Sequence, residues 1–314
     1  MRLSRPNRDS IRPSAVTPGG SLRATVLASV MFAAFLPTLC AVQEKPVLPK
    51  DPVDLVRTAV TKQLSVRESR PLLTWKERIQ KPSRTLTKQL VDTPQGIVGR
   101  YIAYNDRPLT AEERQREEFR INRLLDPRQM AEKRKAQKQD EARVLRMIRS
   151  LPDAFLYEYA DTDTSPNGHT VVRLNFKPNP AFDPPSRETM IYQGMTGYLD
   201  VDATAMRVLR LDGTLSRDVN IGWGIIGRLD KGGRFVIEQA DVLSGHWDQV
   251  AMDLRVNGAA LIFKSIRVDE HDTQYDFRPV PSMTVAEALD FLQKESDAAS
   301  APVKGSSSGT HKSR

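Results

Sequence analysis

The stretch from Phe155 to Phe277 constrains the fold of this chain more than any other. Phe155, Tyr157 and Tyr159 alternate with Leu156 and Glu158. Val172, Leu174 and Phe176 follow Asn167-Gly168, a residue pair suited to a tight hairpin turn. Segments 195–201 and 206–211 read as further strands, with Asp212-Gly213 as the next turn. Then comes the cleanest alternation in the chain. Val250, Met252, Leu254 and Val256 face one way, and Ala251, Asp253, Arg255 and Asn257 the other. Asn257-Gly258 is expected to turn the chain into a strand over 261–268, and Tyr275 and Phe277 close the series. No helix-length segment separates these strands. Parallel pairing needs such crossovers, so the pattern predicts an antiparallel sheet.

Helical signals flank this region. Asp51 precedes Pro52, and Val53, Val56, Val60 and Leu64 recur at helical spacing. Segment 72–104 reads as strands, with a turn at Pro94 and Gly96. Thr110 and Glu113 form a capping box for a helical segment over about 110–150, interrupted at Asp126-Pro127. That segment carries twelve basic and eight acidic residues and lacks an apolar face until Val144, Leu145 and Ile148. It is expected to be a solvated, peripheral insertion laced with ion pairs and docked by its end, not a nucleic-acid surface. Thr284 and Glu287 cap a last helix, and residues 296–314 are expected to be disordered.

The first 41 residues read as a secretory signal. Arg2, Arg5, Arg8, Arg12 and Arg23 lead into an uncharged apolar run over 24–39, followed by small residues at a cleavage point near Cys40-Ala41. The expected location is the periplasm, with an uncleaved N-terminal membrane anchor as the alternative. Five arginines against one aspartate in this leader account for half of the formal +8 charge, so the basic balance is a weak argument for an anionic partner. Cys40 is the only cysteine, and a mature chain over 42–295 rests on its own core, without disulfides.

Motifs with chemistry are few. Gly222-Trp223-Gly224-Ile225-Ile226-Gly227 matches a dinucleotide fingerprint by letter, but Lys231-Gly232-Gly233-Arg234 turns into another strand where that loop needs a helix. The apolar content of 221–229 is more telling. Trp223, Ile225 and Ile226 form either a bent buried strand or the apolar lip of a ligand cavity. Asp161, Asp163, Ser165 and Asn167 resemble a calcium loop, but Pro166 stands where glycine is needed. Asp269, Glu270, His271 and Asp272 are dense in metal-ligand types. Neighbours on a strand point to opposite faces, so a charged turn or edge is expected there instead. No nucleophile elbow occurs, and no catalytic residue, metal site or cofactor is assigned.

The order of elements and one pair of segments resemble a family. Gly194-Met195-Thr196-Gly197-Tyr198-Leu199-Asp200 and 206–213 (MRVLRLDG) resemble a hairpin of the LolA/LolB/RseB superfamily of periplasmic lipoprotein carriers and sensors, with Tyr198 where Trp is common. Segment 100–109 (RYIAYNDRPL) resembles exported relatives of that superfamily. The resemblance covers about 60–280 in outline. It implies a mainly β, α+β fold: an antiparallel incomplete β-barrel with helices on its concave face, here carrying the charged helical insertion. It also implies a monomeric binding or carrier protein for a lipid, an acylated protein or another hydrophobic ligand. Two other classes stand beside it: an envelope sensor or scaffold that binds a protein partner through the charged helices, and a carboxylate-dependent hydrolase.

Overall fold

The computed structural model describes residues 46–66, 71–221, 227–260 and 264–300. Residues 1–45, 67–70, 222–226 (and with them Trp223, Ile225 and Ile226), 261–263 and 301–314 lie outside the described residues.

Helix α1 (Pro52–Val66) leads into strands β1 (Leu73–Lys81), β2 (Arg84–Val91), β3 (Val98–Tyr104) and β4 (Arg107–Pro108). Helices α2 (Ala111–Leu124) and α3 (Pro127–Ala154) follow. Strands β5 (Phe155–Thr164), β6 (Thr170–Pro178), β7 (Met195–Asp202), β8 (Arg207–Leu215), β9 (Val219–Ile221), β10 (Gly227–Leu229), β11 (Arg234–Leu243), β12 (His246–Ala260) and β13 (Lys264–Pro279) come next, with a 3₁₀ turn at Glu188–Gly194. Helix α4 (Val285–Ser300) ends the described chain, five residues into the segment expected to be disordered.

All 13 strands belong to one sheet, ordered β4-β3-β2-β1-β13-β12-β11-β8-β7-β6-β5, with β9 and β10 extending the β8–β11 hairpin beside β12. Every described pairing is antiparallel. The two ends of this path do not meet, so the fold is an incomplete barrel of the α+β class. The segments that carry the family resemblance are paired as β7 and β8.

Capping follows the sequence. Glu113 N–H donates to the Thr110 hydroxyl at 3.2 Å while the Glu113 carboxylate accepts from Thr110 N–H at 2.8 Å. Asp126 caps α3, whose first residue is Pro127. Thr284 and Glu287 make the same reciprocal box before α4.

Two expected turns lie inside strands. Asp212-Gly213 sits in β8, paired on both sides, and Asn257-Gly258 sits in β12. Their glycines serve close approach instead of chain reversal. A Cβ on Gly258 would lie 2.1 Å from the Arg228 carbonyl oxygen, and one on Gly213 would lie 2.4 Å from the Met195 sulfur. Likewise 269–272 is neither turn nor edge. It lies within β13, which pairs with β1 and β12. The alternation expected there holds: Asp269 and His271 oppose Arg255 and Asp253, while Glu270 and Asp272 oppose Leu254 and Met252.

Residues directly opposed in a ladder share a face, so the registers fix the side of each residue. The larger core lies on one face of β5–β8, where Phe155, Val172, Leu174, Leu199, Val201 and Leu211 pack under Leu55, Val56 and Ala59 of α1 and Leu151 of α3. The smaller core lies on the opposite face of β2 and β3, where Val91 and Val98 meet Ala288, Leu289 and Leu292 of α4 and Ile121 of α2. α3 docks through its C-terminal end, as expected, with Met147, Ile148 and Leu151. α2 does more. Glu117 is buried, and its carboxylate accepts Tyr101 N–H at 2.8 Å; Arg120 donates to the Gly99 carbonyl at 2.6 Å. Gln137 and Lys133 of α3 bind the backbone of Ile97. The insertion therefore occupies the outer edge of β3, which β4 leaves unpaired over most of its length.

Candidate ligand-binding face

One cross-strand row runs over ten strands on the face that carries α1. Its members, from β3 to β5, are Tyr104, Leu86, Ile79, Asp272, Met252, Ile237, Leu211, Leu199, Leu174 and Tyr159, each directly opposed to the next. Leu211, Leu199 and Leu174 belong to the larger core under α1. Ile237, Met252, Ile79 and Leu86 belong to neither core and are half-buried. The sheet thus continues its apolar row beyond the helices, over β11, β12, β13, β1 and β2.

Asp272 is the only charged member of this row. It is 5% exposed, and among the described residues its Oδ1 has no hydrogen-bond partner. Burial, with help from the nearby Glu77 and Glu270 charges, pushes its carboxyl up to about 6, against smaller opposing effects of a Gln274 hydrogen bond and of Lys88. The flanking rows hold matched charges on the same face. Lys88 pairs with Glu77 at 2.8 Å, and Lys81 with Glu270 at 2.6 Å. At the β3 end, Lys88 and Arg120 lie over the Tyr101 ring, 5.7 and 5.1 Å from its centroid. Lys133 is lowered to about 8 by burial first, then by the charges of Arg120 and Lys88.

The opposite face of β6–β8 and β11–β13 carries paired charges. Arg173 binds Asp200 through two bonds of 2.7 and 2.8 Å and stacks over Tyr198, 4.1 Å from the ring centroid. Asp212 accepts from Arg234, Arg210 and Tyr198. His271 pairs with Asp253 on this side. Over β11, β12 and β13 the sheet is thus charged on one face and apolar on the other, and the helices leave that apolar part uncovered.

The tips expected to form a lip, Trp223, Ile225 and Ile226, are outside the described residues, but their flanks are placed. Val219 is buried in the larger core and Leu229 packs against it. Ile221 opposes Gly227, and Gly227 opposes Ala260. The flanks are antiparallel strands, which is incompatible with a dinucleotide loop between strand and helix. The Asp161–Asn167 stretch is a hairpin end, with the Ser165 hydroxyl bonded to the His169 backbone and to Asn167. Among the described residues no group of three His, Cys, Asp or Glu side chains is placed to hold a metal ion. Glu77 and Glu270 act on Asp272 from the rows on either side, but each is paired with a lysine, and the row that Asp272 interrupts is apolar. Sequence reasoning missed Asp272 as the centre of this face. Its one local signal was an acid at a position where strand alternation calls for an apolar side chain.

No protein-family model matches the chain, and no curated protein matches it. A solved structure of a DUF1329 family protein from Desulfovibrio piger is similar at 12% identity, over 75% of this chain and 96% of that one, with a TM-score of 0.29. At that score the likeness carries no argument about fold or function.

Proposed function

We propose that this is an exported, periplasmic binding or carrier protein for a hydrophobic ligand, a lipid or an acylated protein, held against the α1-bearing face of the open sheet. One observation carries this reading: the ten-strand apolar row, whose Ile237, Met252, Ile79 and Leu86 extend past the helices and lie half-buried outside both cores. Each methylene laid on such a surface contributes about 0.8 kcal/mol, so acyl chains bind without a polar site. Val219 and Leu229, which flank the segment holding the expected lip residues Trp223, Ile225 and Ile226, join the larger core beside this surface.

Native mass spectrometry of protein purified from the cell envelope is expected to show a co-purified lipid. Displacement of a fluorescent fatty acid is expected to weaken at least about tenfold in Ile79→Ser/Leu86→Ser, about 1.4 kcal/mol. An unaltered affinity in a folded double variant defeats the reading. A second reading has its own observation. Phe119 on α2 is 70% exposed, with Leu125 and Val144 also exposed on the helical insertion. A protein partner of the envelope that docks there would be lost on Phe119→Ser with lipid binding intact.

A further inference from the structure

We infer that the hydrophobic ligand carries a cationic amine, and that Asp272 is its counter-ion. This deepens the binding role proposed above and rests on it.

Among the described residues no cation forms an ion pair with Asp272, and Lys88, the nearest positive charge to act on it, is held by Glu77. Of the charged groups on this face, Lys81 of β1 is engaged by Glu270, Lys88 of β2 by Glu77, and β12 contributes only apolar Met252 and Leu254. Arg84 closes the Lys81 row at the exposed β1–β2 hairpin end. Among the described residues Asp272 is the one buried acid with an unmatched carboxylate oxygen, in the middle of a row whose other members are apolar side chains or tyrosines. An unpaired buried acid costs stability unless function retains it, and such groups concentrate at binding sites. The geometry selects the ligand by complement. A chain lying along the row places its hydrocarbon on Ile79, Met252 and Ile237, and an ammonium group above the β13 position completes the missing charge and donates to Oδ1. A carboxylate at that point would meet a like charge and bind worse than a neutral head.

The test compares three probes with one chain length: dodecylamine, 1-dodecanol and laurate, titrated below micelle formation. Above the Asp272 pKa of about 6, dodecylamine is expected to bind about tenfold more tightly than dodecanol, with laurate weakest. Below that pKa the amine's advantage is expected to vanish, while dodecanol binding holds. Asp272→Asn, which keeps shape and removes charge, is expected to bind amine and alcohol alike at both pH values. Equal binding of amine and alcohol by the parent protein at high pH overturns the inference and leaves the hydrophobic-ligand role standing. So does an amine preference that persists in Asp272→Asn. Failure of all three probes to bind overturns that role instead. If Asp272→Asn does not fold, the pH profile of the parent protein alone decides.

Discussion

Asp272 and Asp212 show how one residue type, on the two faces of one sheet, responds oppositely to pH. The carboxyl of Asp272 sits above its ordinary value, at about 6, so the folded state holds the proton more tightly than the unfolded chain. Its contribution to stability therefore improves as pH falls from above about 6 to below about 4. Asp272→Asn is expected to raise the melting temperature near neutral pH, by a gain of roughly 2–3 kcal/mol, and to leave it almost unchanged in mild acid. Thermal melts of both proteins across that range check this, and an equal destabilisation at every pH would show that the carboxylate is structurally needed. For Asp212, burial alone would raise the pKa. Hydrogen bonds from Arg234, Arg210 and Tyr198 outweigh it and hold the carboxyl at about 2. Its stabilisation is full above about pH 4 and is lost as pH falls towards 2. Asp212→Asn is expected to cost about 1–2 kcal/mol near neutral pH and nothing at the acid end.

At the scale of elements, α2 is the instructive case. Its sequence reads as a charged surface helix, and most of its side chains are solvated. Yet Glu117 spends its carboxylate on the Tyr101 backbone and on Arg120, and Ile121 enters the smaller core. Glu117→Ala leaves a buried N–H without an acceptor and is expected to cost about 2–3 kcal/mol; Glu117→Gln, which still accepts, about 1. Denaturant unfolding separates the two. Removing residues 110–150 exposes the edge of β3 and is expected to lower the stability of the whole domain, with aggregation through that edge visible by light scattering. An unchanged midpoint would return α2 to the role of a bystander. The sequence offered the capping box and the break at Asp126-Pro127, because caps are local. It did not offer this docking, because a glutamate that binds backbone and one that faces water look the same in a sequence.

At the scale of the whole molecule, the strands were legible from alternation and their antiparallel sense from the lack of crossovers. What was not legible was pairing between distant segments. Asp212-Gly213 and Asn257-Gly258 carry turn chemistry, but their glycines answer to neighbouring strands that the local sequence does not identify. The cross-strand apolar row is invisible for the same reason: Ile79 and Asp272 are partners only through the pairing of β1 with β13. Two cores on opposite faces of one continuous sheet also predict shared stability. Leu174→Ala in the larger core and Leu292→Ala in the smaller are each expected to cost about 2–5 kcal/mol and to lower one common unfolding transition. Two separated transitions by calorimetry would mean that the halves of the sheet melt independently. Leu292→Ala is further expected to leave probe binding unchanged, since its core lies on the other face.

The pairing of β1 with β13 joins the beginning of the sheet to its end, across about two hundred residues of chain. The smaller core is split in the same way, Val91 and Val98 being made early and Leu289 and Leu292 late. Before the last strand and helix have been synthesised, β1–β4 have no β13 to lie against and Val91 and Val98 have no α4 to cover them. The nascent N-terminal third must therefore wait with its apolar surface open, and loop closure over that distance is slow. Under the export proposed above, in which the chain would cross a membrane unfolded, that waiting is an asset: premature folding, which would stall its passage, is withheld until the last strand and helix arrive.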